Sequence, residues 1–165
     1  MVRRHRLLLA LCFSCMATLC APVLAQYSCS ATTTGSMNFL VYNPASGTPA
    51  TASVTANLTC THLGGGAQKI SWAMELSNGS SGTCNGRSMP GPSDILNYNI
   101  YINSIGGGVW GNAGCASFPF GQVTVSNGAG NIVRTVTNTL FGQIPVGQYV
   151  AVGTYTENLT LTFSY

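Results

Sequence analysis

Thr51-Ala52-Ser53-Val54-Thr55-Ala56-Asn57-Leu58-Thr59-Cys60 alternates apolar or small side chains with hydroxyl and amide ones, without a break. A period of two belongs to a β-strand with one face buried and the other wet, because successive side chains of a strand point to opposite faces. The same reading holds at Ile70, Trp72, Met74 and Leu76, and at Leu96, Tyr98, Ile100 and Ile102. It returns in the last residues, Leu159, Leu161, Phe163 and Tyr165, spaced by Thr160, Thr162 and Ser164. Weaker strands are expected at 36–42, 122–126 and 132–141. Turn-forming clusters separate the runs: Asn43-Pro44, Gly64-Gly65-Gly66, Asn78-Gly79, Pro90-Gly91-Pro92, Gly106-Gly107-Gly108 and Asn127-Gly128. No ten-residue window carries a helical period. Short strands with regular turn signals predict an all-β sandwich of Greek-key type.

The N-terminal segment reads differently. Arg3, Arg4, His5 and Arg6 form a basic start, Leu7 to Leu19 are mostly apolar, and Val23-Leu24-Ala25 offers small residues for cleavage before Gln26. This is the layout of a secretory signal peptide, and its apolar run is too short to span a bilayer comfortably. We therefore expect a signal over 1–25 and one domain over 26–165, exported to the periplasm and then held at the cell surface or secreted. Without Arg3, Arg4 and Arg6 the net charge of +3 vanishes, since Lys69, Arg87 and Arg134 balance Glu75, Asp94 and Glu157. No basic patch remains of the kind that binds nucleic acid.

Cys12, Cys15 and Cys20 lie in the same segment, which leaves Cys29, Cys60, Cys84 and Cys115. An even number in an exported domain predicts two disulfides. Three connectivities are open, and sequence alone does not choose among them. Cys29–Cys60 with Cys84–Cys115 is favoured, each closing a loop of about 30 residues and each contributing on the order of 3–4 kcal/mol by loop-closure entropy. No C-x-x-C pair points to zinc. His62 is the single histidine of 26–165, and it sits beside a triple glycine, so it is expected in an exposed loop. No nucleophile elbow or paired acid accompanies it, so neither an enzyme nor a cofactor is expected. Trp72, on an alternating face, is expected in the core.

Several short motifs follow one another in a telling order. They are Phe39-Leu40-Val41-Tyr42-Asn43-Pro44, Thr59-Cys60-Thr61, Arg87-Ser88-Met89, Leu96-Asn97-Tyr98-Asn99-Ile100-Tyr101 and Trp110-Gly111. Phe141-Gly142-Gln143-Ile144-Pro145 comes next, then Gln148, Gly153, Tyr155 and a terminal aromatic, Tyr165. In order and spacing they resemble the spore coat protein U domain family, found in secreted pilin-like subunits of archaic, Csu-type chaperone–usher pili. The resemblance spans Cys29 to Tyr165. Two departures stand out: Leu40 replaces a glycine of the family pattern, and much of the family has no bridge where Cys84 and Cys115 fall.

The resemblance implies an immunoglobulin-like sandwich that lacks its final strand, leaving a groove between the sheets. It implies as partners a periplasmic chaperone that fills the groove with a strand, an outer-membrane usher, and other pilus subunits that replace the chaperone by donor-strand exchange. Leu159, Leu161, Phe163 and Tyr165 are then expected on one wall of the groove. Cleavage before Gln26 leaves only Gln26-Tyr27-Ser28 ahead of Cys29, so the chain is expected to accept a strand without giving one, as a pilus-tip subunit would. Ile105, Val109 and Trp110 form a glycine-flanked apolar loop, a candidate surface contact, although Trp110 also fits a core-capping role. The expected function is a structural or adhesive pilus subunit serving attachment and biofilm formation. The alternative is a stand-alone secreted β-sandwich binding module, for carbohydrate or in a spore coat.

Overall fold

The alternation of residues 51–60 becomes the longest strand of a computed structural model that describes residues 26–128 and 132–165. The expected signal segment, 1–25, lies outside the described residues. In chain order the strands are β1 (Tyr27–Thr33), β2 (Ala50–His62), β3 (Gln68–Leu76) and β4 (Arg87–Pro90), then β5 (Ile95–Ile102), β6 (Phe120–Val125), β7 (Val133–Ile144) and β8 (Leu161–Ser164). In β2, Ala56, Leu58, Cys60 and His62 are buried while Thr55, Asn57, Thr59 and Thr61 face outward. Each apolar step removes side-chain area from water at about 25 cal/mol per Å². That is why the register of a one-sided strand is firmly set.

The strands form two antiparallel sheets, one in the order β1-β2-β7-β5-β4 and the other β6-β3-β8. Leu58, Ile70, Met74, Leu76, Tyr98, Ile100, Val123, Val125, Leu140 and Ile144 belong to one buried cluster. An immunoglobulin-type sandwich places strands A, B, E and D in one sheet and C, F and G in the other. Here β1, β2, β7 and β5 take the A, B, E and D places, and β3 and β8 take C and F. Among the described residues, no strand takes the G place beside β8.

Both disulfides follow the favoured pairing. Cys29 lies directly opposite Cys60 in the β1–β2 register, with Cα atoms 4.0 Å apart. Cys84, ahead of β4, joins Cys115 in the β5–β6 connection at a Cα separation of 6.2 Å.

Three local expectations need correction. Residues 36–42 form no strand. Leu40 has a φ of 58° and turns the chain out of the alternation, leaving Leu40 and Val41 exposed. His62 is 6% exposed rather than a loop residue, because β2 continues two residues past Cys60 and keeps its inward phase. Its Nε2 lies 3.1 Å from the Gly66 carbonyl. Strands β1 and β4 were not expected at all. Trp72 is half-buried against the core, its ring lying over Gly121 of β6.

Candidate functional site

Among the described residues β8 pairs with β3 alone, and its other edge is open. The direction of its backbone groups follows from neighbouring bonds. Met74 N–H donates to the Pro119 carbonyl and Leu76 N–H to Gly111, both away from β8, while Ser77 N–H donates to Thr160. Alternate residues of an antiparallel strand turn both backbone groups to the same side. Thr160, Thr162 and Ser164 therefore face β3, and the N–H and C=O of Leu161 and Phe163 face the open edge.

Beside that edge lies a cavity of about 290 Å³. Leu159 and Leu161 form one wall, Met37 and Phe39 the other, and Leu76, Met89, Ile100 and Leu140 lie among the remaining lining residues. The Met37–Phe39 wall has little backbone support. Thr34 N–H still donates to the Thr55 carbonyl, but the next bond along the chain is the local one from Leu40 N–H to Asn38 Oδ1. Met37 and Phe39 hold the segment by packing over Gly142, where a Cβ would collide with both side chains. Phe39 also meets Tyr98 edge to face, ring centres 6.1 Å apart. Glycine at 142 is thus a close-approach position.

One end of the cavity is polar. Glu157 accepts hydrogen bonds from the Tyr98 hydroxyl and from the Ser80 amide and hydroxyl. Burial, aided by the hydrogen bond to Glu157, pushes the Tyr98 hydroxyl pKa well above the ordinary tyrosine range. Behind Tyr98 sits Arg87, fully buried, donating to the carbonyls of Ser77, Cys84 and Trp110. Burial lowers its pKa, and the nearby Tyr98 and Glu157 push it back up. A buried guanidinium satisfied by three carbonyls ties the end of β3 to the loops before β4 and after β5.

The four expected groove residues come together along β8 and its approach. Leu159, Leu161 and Phe163 are half-buried against the core, while Tyr165 is 55% exposed and donates its hydroxyl to the Cys29 carbonyl. The expected contact loop is only partly at the surface. Ile105 is exposed, Val109 is half-buried, and Trp110 is fully buried with its Nε1 donating to the Met74 carbonyl. Trp110 is thereby removed from any surface contact; it caps the core. Reasoning from alternation missed Met37, Phe39, Met89, Tyr98 and Glu157 as lining residues. Phe39, Met89 and Tyr98 lie in the motifs quoted above, and that order was the available signal. Tyr42 and Gln148, two further motif residues, lock the adjoining turn: Tyr42 donates to Pro145 and accepts from Gln148 N–H, and the Gln148 amide spans both backbone groups of Asn97.

The site defines the class: an antiparallel sandwich in which, among the described residues, one edge of β8 is unpaired beside a cavity with apolar walls and a polar end. A profile of the Spore Coat Protein U domain matches residues 15–162. The chain belongs to that family. No curated relative matches it. Among solved structures it is similar to a chain of the CsuC–CsuE chaperone–tip adhesion subunit pre-assembly complex from the archaic chaperone–usher Csu pili of Acinetobacter baumannii. Identity is 19% and the TM-score 0.49. The match covers 84% of this chain and 40% of that one, so this chain spans less than half of its neighbour's length.

Proposed function

We propose that this protein is a subunit of a chaperone–usher surface pilus whose vacant strand place is filled first by a periplasmic chaperone and then by a neighbouring subunit. The open edge of β8 carries this reading: Leu161 and Phe163 turn their backbone groups to that edge, and Leu161 lines the cavity beside it. A strand laid there gains backbone hydrogen bonds along β8, and its alternate side chains enter the cavity. Left empty, such an edge invites aggregation. Family membership adds support, because the spore coat protein U domain is the family whose resemblance implies a pilus subunit.

Within that reading, β1 begins at Tyr27, so cleavage before Gln26 leaves no free strand to donate. The subunit then receives a strand and gives none, which suits the tip of a fibre and a part in attachment and biofilm formation. Expression with and without the chaperone of the same assembly system tests the proposal. A 1:1 complex, with aggregation when the chaperone is left out, is the expected result. A stable monomer that ignores the chaperone overturns it in favour of a stand-alone binding module. N-terminal sequencing of the exported product tests the tip role separately; a start well upstream of Gln26 rules it out.

A further inference from the structure

The groove beside β8 is not uniform along its length, and its charged group has a fixed place in it. Glu157, Leu159, Leu161 and Phe163 are half-buried, and the residues between them, Asn158, Thr160 and Thr162, are exposed. One row of period two therefore faces inward, and Glu157 is its first member. Glu157, Leu159 and Leu161 line the cavity, and Glu157 is the only charged residue among its lining. The approach to β8 is tied down on its paired side. Thr156 N–H donates to the Pro90 carbonyl, Ser77 N–H to the Thr160 carbonyl, and Thr160 N–H to the Ser77 hydroxyl.

The Glu157 carboxylate is held in place but not saturated. A carboxylate accepts at about four places and donates at none. Ser80, through its amide and hydroxyl, and Tyr98 take at most three of them. Arg87 lies behind Tyr98, yet its guanidinium donates to the Ser77, Cys84 and Trp110 carbonyls and not to Glu157. A strand laid along the open edge sets one side chain opposite each member of the inward row, with Cβ atoms about 4.5–5.5 Å apart. The same strand takes water away from Glu157. An apolar side chain opposite it leaves a desolvated carboxylate short of a partner. An acid there adds like-charge repulsion. A side chain that donates a hydrogen bond replaces what water gave. Opposite Leu159, Leu161 and Phe163, apolar side chains fit instead.

We propose that Glu157 sets the register of the incoming strand, which carries a hydrogen-bond donor opposite Glu157 and apolar side chains opposite Leu159, Leu161 and Phe163. This rests on the strand-acceptor reading above and adds a rule for the sequence of the strand. The test is exchange of labelled peptides into the full exported chain held by its chaperone, read as bound peptide by fluorescence anisotropy. One peptide set reads X-Thr-Val-Thr-Val-Thr-Val and the other is its reverse, so that X meets Glu157 whichever way the strand runs. X is leucine, asparagine or aspartate, three side chains of nearly one shape. The asparagine peptide is expected to bind about tenfold more tightly than the leucine one, as for one hydrogen bond to a charged group. The aspartate peptide is expected to bind most weakly. In Glu157→Gln the new amide supplies a donor, and the aspartate peptide should gain on the asparagine one. Equal binding of the three peptides by the wild-type chain, or leucine ahead of asparagine, overturns the proposal and leaves strand acceptance standing. Entry by no peptide overturns both. If Glu157→Gln does not fold, the order in the wild-type chain decides alone.

Discussion

The two flanks of the sandwich interior are finished to different degrees. Around Arg87, polar groups find partners within the domain: a buried guanidinium holds three carbonyls, and the Trp110 indole donates to Met74. Around β8, the backbone of Leu161 and Phe163 faces outward, and the opposing segment at Met37 and Phe39 is held by side-chain packing alone. A single domain thus contains a self-sufficient half and a half that lacks a neighbour. The difference teaches that incompleteness here is local. Among the described residues it lies at the unpaired edge of β8 and not in a loose core.

The comparison is broken most severely at Arg87. Arg87→Met leaves the Ser77, Cys84 and Trp110 carbonyls buried without a donor, and a loss of about 3–5 kcal/mol is expected, as for breaking a buried charged network. Urea denaturation of the chaperone-bound chain, or failure to recover it at all, reads that loss. On the unfinished flank, proline separates the two edges of β8. Phe163→Pro deletes an N–H that faces the open side, a place where an edge strand tolerates proline. Thr162→Pro deletes one that bonds β3. The first variant is expected to fold yet bind a strand peptide about tenfold more weakly, and the second to unfold more easily; equal behaviour of the two refutes the edge assignment.

Smaller effects sharpen the contrast further. The folded pKa of Tyr98 is raised, so the stability it carries is fully present below the ordinary tyrosine value of about 10 and is lost as pH rises beyond it. Denaturation across alkaline pH shows the decline, and Tyr98→Phe should flatten it. At Leu40, glycine should relieve a left-handed strain of roughly 1 kcal/mol, offset in part by its greater freedom when unfolded. A net gain of about 0.5 kcal/mol in thermal or urea unfolding is expected.

Period-two alternation made β2, β3, β5 and β8 legible within a few residues, because each has a wet face and a dry one. β1 was not legible because Tyr27–Thr33 is an edge strand in which only Tyr27 and Cys29 pack against the core, and the serines, threonines and alanine around them set no period. β4 is four residues long, too short for a period of its own. At 36–42 the pattern misled in an instructive way. Met37 and Phe39 do face the core, but Leu40 breaks the phase with a backbone angle that no side-chain pattern encodes. The wall formed by Leu159 and Leu161 was readable, whereas Glu157 and Tyr98 meet only after the chain folds across 59 residues.

The bridge from Cys29 to Cys60 also has a mechanical consequence. It fastens β1 to the middle of the larger sheet two residues after β1 begins. A pull on the N-terminal end therefore loads a covalent bond within a few ångströms of entering the domain. A pull on Tyr165 meets non-covalent contacts: the hydrogen bonds between β8 and β3, the packing of Leu161 and Phe163, and the link from Tyr165 to Cys29. Under tension between Tyr27 and Tyr165, β8 is therefore expected to yield before β1.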